Sequence, residues 1–103
     1  MEDTVITIFA KWQVKSGKLA QVLTALEALA QKSREEEGNL SYQAHQSIGE
    51  DDCILLFETY RDQEALEAHR TSVHYQDLGL NTIVPLLAHR EVSTTKEIFK
   101  SKS

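Results

Sequence analysis

A chain of 103 residues, 41% hydrophobic and 26% charged, has the size and balance of one folded domain spanning residues 1–103 and is too apolar for a disordered segment. A net charge of −5 and a pI near 5.3, with no Lys/Arg-rich stripe, exclude non-specific binding to nucleic acid and attachment to anionic membrane surfaces. No apolar run approaches the roughly 20 residues of a membrane span, and the start MEDTVITIFAKW has the wrong charge order for a signal peptide. The single cysteine, Cys53, has no partner within the chain, so a reducing cytoplasm is the expected location.

Thr4 to Val14 reads as a strand, with Ile6, Ile8, Ala10, Trp12 and Val14 alternating against Val5, Thr7, Phe9, Lys11 and Gln13. Both sets begin apolar, so burial on both faces is expected over its first half. Ser16-Gly17 breaks the strand, and Ser16 can cap a helix. From Leu19 the apolar positions Val22, Leu23, Leu26, Leu29 and Ala30 form an amphipathic stripe. That helix is expected to end at Glu35-Glu36-Glu37 before Gly38. Three acids in a last turn oppose the helix dipole, which predicts fraying there.

Asn39 to Ile48 alternates more weakly and reads as a second strand, with Gly49-Glu50-Asp51-Asp52 as a hairpin turn. Cys53 to Tyr60 is the third strand. Ile54, Leu56, Glu58 and Tyr60 point one way and Cys53, Leu55, Phe57 and Thr59 the other, again apolar on both faces. Asp62 is placed to cap a helix whose inner face carries Ala65, Leu66 and His69. Thr71 or Ser72 can cap a second short helix bearing Tyr75, Leu78 and Gly79. After Pro85, Leu86 to Phe99 is expected to form a long final strand, with Val92, Thr94, Lys96 and Ile98 on one face.

The order β-α-β-β-α-β is that of the α+β, ferredoxin-like split βαβ fold: an antiparallel sheet with its helices on one face. The other face is left bare. Because the first and third strands are apolar on both sides, a homodimer packed sheet to sheet about a two-fold axis is expected.

The chemistry-bearing residues gather between Cys53 and Tyr75. Glu58 is either a strand-end carboxylate that reaches solvent or a carboxylate in an apolar pocket, able to act as a base or to orient one. His69 falls on the apolar face of its helix, as a satisfied core residue or as a group for proton transfer near neutral pH. His74 follows at i+5, a poor spacing for a metal pair, and HExxH and cysteine clusters are absent, so no metal is expected. GxSxG, GxGxxG and Walker A patterns are also absent, which leaves nucleotide and flavin cofactors without support. Trp12, Tyr42, Tyr60 and Tyr75 either fill the core or line a flat apolar pocket for an aromatic ligand.

Phe57-Glu58-x-Tyr60, Glu64-Ala65-Leu66-x-x-His69 and Ser72-x-His74-Tyr75 together resemble the signature of antibiotic biosynthesis monooxygenase domains. Glu36-Glu37-Gly38-Asn39-Leu40-x-Tyr42 resembles that family's helix-to-strand junction, and Gly17-Lys18 its approach to the first helix. The resemblance covers roughly residues 5 to 98. It implies a dimeric α/β barrel-like assembly with a pocket between sheet and helices in each subunit. It further implies oxidation of a quinol-like or phenolic small molecule by O2 without flavin, metal or haem. Carried over residue by residue, His69 is the base or its hydrogen-bonding partner and Glu58 orients it. Tyr60, Tyr75 and His74 border the substrate, with Tyr42 and Trp12 as further candidates.

Two other readings stay open. The junction and the His69–Tyr75 segment also resemble an isomerase of phosphorylated autoinducer-2, which needs no O2 and for which Lys11 and Arg70 are the candidate phosphate-binding cations. A non-enzymatic dimeric binding module is the third. Haem-degrading relatives place an axial histidine near positions 78 and 79, where this chain has Leu78 and Gly79.

Overall fold

The computed structural model describes residues 4–99. Strand β1 (Ile6–Val14) leads to helix α1 (Leu19–Arg34), strand β2 (Asn39–Ser47), strand β3 (Glu50–Tyr60) and helix α2 (Gln63–Arg70). A nine-residue π-helix, α3 (Tyr75–Ile83), and a short 3-10 turn (Val84–Leu86) precede strand β4 (Leu87–Thr95). The sheet order is β2-β3-β1-β4 and every pairing is antiparallel, as the split βαβ reading requires.

The alternation in β1 and β3 decides which face packs. Ala10, Trp12, Val14, Ile54 and Leu56 meet Val22, Ala25, Leu26, Leu29 and Ala30 of α1 in the main core. Ile8 and Tyr60 continue that face under Ala65 and Leu66 of α2. The opposite face is less apolar than expected. Phe9 and Leu55 are half exposed there, and the Phe9 and Phe57 rings meet edge to face at 5.5 Å. Around them stand Lys11, His45, Glu91 and Ser93, so the bare face carries a central apolar patch rather than a continuous apolar surface.

Several boundaries differ from the sequence expectation. Gly17, at φ +81°, closes a turn in which the Lys18 N–H reaches the Lys15 carbonyl at 3.0 Å. Ser16 therefore lies too early to cap α1, and Lys18 holds the N-cap position without a side-chain bond. At the other end α1 stops at Arg34, so Lys32 and Arg34 occupy the last turn and suit the dipole. Nε and Nη2 of Arg34 both donate to the Tyr42 carbonyl, at 3.0 and 2.6 Å, which fastens the helix end to β2. The three acids thus follow the helix instead of fraying it.

Strand β3 begins at Glu50 rather than Cys53, because a tight turn with Gly49 at φ +92° lets the exposed acidic residues continue the ladder. Strand β4 stops at Thr95 rather than Phe99. Thr95 already pairs with Thr7, near the start of β1, so the residues after it have no partner strand. Gly38 is needed for close approach: a Cβ built there would lie 2.3 Å from the Ala65 Cβ.

Candidate active site

A cavity of about 340 Å³ lies between the sheet and helices α2 and α3. Its walls combine apolar groups from Ile8, Trp12, Leu56 and Leu66 with Tyr42, Tyr75, Glu58 and His69. Trp12 is 6% exposed, and its indole N–H has no acceptor among the described residues.

Local structure aims each polar group. Asp62 accepts the Ala65 N–H at 2.8 Å, the cap expected for α2, and this sets the phase that turns Ala65, Leu66 and His69 inward. His69 is 3% exposed. Ser72 accepts the Tyr75 N–H at 3.2 Å and donates to the His69 carbonyl at 2.6 Å, which ties the end of α2 to the start of α3. Helix α3, wound as a π-helix, presents Tyr75 and Gly79 at the cavity wall. Windings of this kind are rare and often accompany functional sites. The Tyr75 and His69 rings lie 4.9 Å apart, and the Tyr75 hydroxyl accepts from Nη2 of Arg90 at 3.1 Å.

Glu58 stands on the inner face of β3 and is buried, which decides between its two sequence readings. The Tyr60 hydroxyl donates to its Oε1 at 2.6 Å. Burial pushes the Glu58 carboxyl above its ordinary range; the Tyr60 bond and the charge of His69 only partly offset this. Burial beside Glu58 also raises the Tyr60 phenol, and Tyr42 is raised for the same two reasons.

The Glu58 Oε1 is 3.9 Å from His69 Nε2, beyond hydrogen-bond length. The carboxylate that grips His69 is instead Glu36, whose Oε2 is 2.9 Å from Nδ1. The same oxygen lies 2.5 Å from Nε2 of His74. Burial alone would raise the Glu36 carboxyl, but the hydrogen bonds and charges of the two histidines outweigh it and hold the group below its ordinary value. Its other oxygen, Oε1, is buried without a partner among the described residues.

Glu58, His69, Tyr42, Tyr75 and Trp12 therefore all reach the cavity, whereas Tyr60 and His74 stand behind its wall and act on Glu58 and Glu36. Arg70 lines the cavity and Lys11 does not; Lys11 lies on the opposite face of the sheet. Two residues that the sequence reading did not assign belong here, Glu36 and Arg90. The conflict between the acidic run and the helix dipole was the available signal for Glu36. For Arg90 it was the alternation with Val92 and Thr94, carried one step further toward Pro85.

Glu36, His69 and His74 offer one ligand atom each, all within 4.8 Å of one another, and are, among the described residues, the group placed to hold a cation. In the structure these atoms already satisfy one another: one carboxylate oxygen lies within hydrogen-bond length of both ring nitrogens. A metal with bonds of about 2.0–2.2 Å would have to part them.

The sequence profile described as antibiotic biosynthesis monooxygenase matches residues 5–78. A Bacillus subtilis protein, YcnE, which carries a provisional monooxygenase name, is 32% identical over 72 residues, 70% of this chain and 76% of its own. Rv0793 of Mycobacterium tuberculosis, named in the same way, is 30% identical over 90 residues, 87% of this chain and 86% of its own. The solved structure of Rv0793 superposes with a TM-score of 0.88, covering 96% of this chain and all of that one at 24% identity. PA3566 of Pseudomonas aeruginosa superposes at 0.84, with 26% identity over 96% of this chain and 99% of its own.

Proposed function

The chain belongs to the antibiotic biosynthesis monooxygenase family, and from that premise we propose that it oxidises a quinol-like or phenolic small molecule with O2 and needs no cofactor to do so. The observation that carries this reading is His69: a buried imidazole with one nitrogen on Glu36 and the other facing an aromatic-lined cavity large enough for a ring compound. His69 takes the proton of a substrate hydroxyl. The resulting anion passes one electron to O2, and the two radicals join at a ring carbon. One oxygen atom stays on the ring and the other leaves as water, so a hydroquinone and O2 give a hydroxyquinone and water. Tyr42, Tyr75 and Trp12 flank the ring, and Glu58, whose carboxyl is raised above its ordinary value by burial, stands on the cavity wall 3.9 Å from Nε2 of His69.

Oxygen uptake and product mass against a hydroquinone panel, run in air, under nitrogen and with labelled O2, test the proposal. One labelled oxygen atom per product is expected; equal turnover under nitrogen overturns it. A second reading, proton transfer on a small anionic dicarbonyl compound, is favoured by one observation. Arg70 and Arg90 both line the cavity, and Arg90 has no carboxylate partner among the described residues. Turnover without O2 of a phosphorylated dicarbonyl compound, followed by NMR, is the outcome that selects it.

We further propose a homodimer formed through the open sheet face, supported by the exposed Phe9 and Leu55 beside Phe57. Sedimentation checks it: a stable monomer at micromolar concentration is the contrary result.

A further inference from the structure

We infer that Glu36, held in place by His74, is a positioning residue that fixes His69 as the tautomer with its free lone pair on Nε2, facing the cavity. The inference rests on the proposed role of His69 as base and assigns the groups that make it one. A carboxylate has no hydrogen to give, so it accepts from whatever approaches it. Glu36 lies below the ordinary carboxylate range because both imidazoles bond to its ionised form, so at neutral pH it is such an acceptor. At 2.9 Å, His69 Nδ1 must therefore carry the hydrogen. A neutral imidazole has only one N–H, so the lone pair is left on Nε2.

Around that nitrogen the described residues give no hydrogen-bond partner. Glu58 Oε1, its nearest ion-pairing group, is 3.9 Å away and already accepts from Tyr60. The titratable groups facing the His69 ring are Glu36 after α1, Tyr42 from β2, Glu58 and Tyr60 from β3, and His74 and Tyr75 at the start of α3. Of these only Glu36 touches Nδ1.

His74 does for Glu36 what Glu36 does for His69. It donates Nε2–H to the same Oε2, from outside the cavity, with its side chain one-fifth exposed. Glu36 sits in the turn after α1, its backbone held by N–H donation to the Ser33 carbonyl, and the two imidazoles fix its carboxylate from different elements, α2 and the start of α3. An orienting acid of this kind commonly decides whether an imidazole works as a base, since reversing the tautomer buries the lone pair on the wrong side.

The test reads the tautomer directly. Long-range 1H–15N correlation spectra of labelled protein, recorded across a pH titration, show which nitrogen of neutral His69 bears the hydrogen, without any substrate. In the wild-type protein that nitrogen is expected to be Nδ1. In Glu36→Gln the amide can donate to Nδ1, and a shift toward the Nε2–H form is expected; Glu36→Asp keeps the wild-type pattern. With a turned-over substrate in hand, Glu36→Gln lowers kcat by roughly 10²–10⁴ while KM stays within about threefold, and Glu36→Asp recovers most of the loss. His74→Gln gives broadened His69 signals. Neutral His69 carrying its hydrogen on Nε2 in the wild type, or unchanged in Glu36→Gln, overturns the inference. Because the spectra need no substrate, failure of every quinol to react would defeat the proposed reaction and leave the tautomer result standing.

Discussion

Replacing Gly38 by Ala should separate the two halves of the site without touching either catalytic candidate. The added Cβ would lie 2.3 Å from the Ala65 Cβ, a group on the rigid first turn of α2. Reaching ordinary contact at 3.4 Å requires the turn and the helix to part by about 1.1 Å. Gly38 belongs to the turn that carries Glu36, and Ala65 to the helix that carries His69. The same displacement would lengthen the 2.9 Å bond between them, to at most about 4 Å, where it is no longer a hydrogen bond. Overpacking of this kind costs about 1–3 kcal/mol. For a domain of this size each kcal/mol lowers Tm by about 4–8 °C, so a fall of roughly 5–20 °C is expected. Thermal unfolding gives the first number and the His69 15N spectrum the second. A Tm within about 1 °C of wild type, with the His69 signals unmoved, would refute the close-contact reasoning.

The other predictions concern charge, capping and assembly. Glu58 has a raised carboxyl, so its contribution to stability is full below its unfolded value near 4.5 and is lost as pH rises through the folded value. Glu58→Gln should therefore gain stability relative to wild type between pH 4 and pH 7 by chemical denaturation; an equal difference at both would count against burial as the cause. Glu36 behaves in the opposite sense: its contribution is present above 4.5 and lost as pH falls through the lowered folded value. Glu36→Gln should thus cost more at pH 7 than at pH 3. Asp62→Ala removes the cap of α2 and should cost about 1 kcal/mol, read as a lower denaturation midpoint with an unchanged slope. Leu55→Lys, on the open sheet face, should yield a monomer by sedimentation with the circular dichroism unaltered; a dimer that persists would place the interface elsewhere.

Much of the fold was legible because period and polarity agreed. Ile54, Leu56, Glu58 and Tyr60 do share one face of β3, and Asp62 does cap α2 where an acid precedes an apolar-periodic run. Glu58 and His69 could be brought to one pocket from strand-turn-helix spacing alone. What stayed hidden depended on contacts distant in sequence. Glu36 meets His69 and His74 across 33 and 38 residues: the acidic run set against the helix dipole marked the stretch, but no local pattern named the distant partners. The end of β4 at Thr95 was likewise invisible, since it depends on where β1 stops offering hydrogen bonds. The winding of α3 also escaped, because a π-helix and an α-helix of nine residues share the same composition.

That winding governs how this scaffold can change. Tyr75 and Gly79, four residues apart, share the face of Tyr75–Ile83 that lines the cavity, and the wider winding of that segment sets which later residues join them. Deleting one residue with the winding kept would rotate the remainder of the helix by roughly 80–100°, withdrawing one set of side chains from the roof and presenting another. Point substitutions can only trim the present chamber, whereas a single-codon loss or gain in this segment would redraw its ceiling and leave the floor of β1 and β3 intact. Diversification of substrate range on this architecture should accordingly leave its record in the length of the segment after α2 more than in the identities of the sheet residues beneath it.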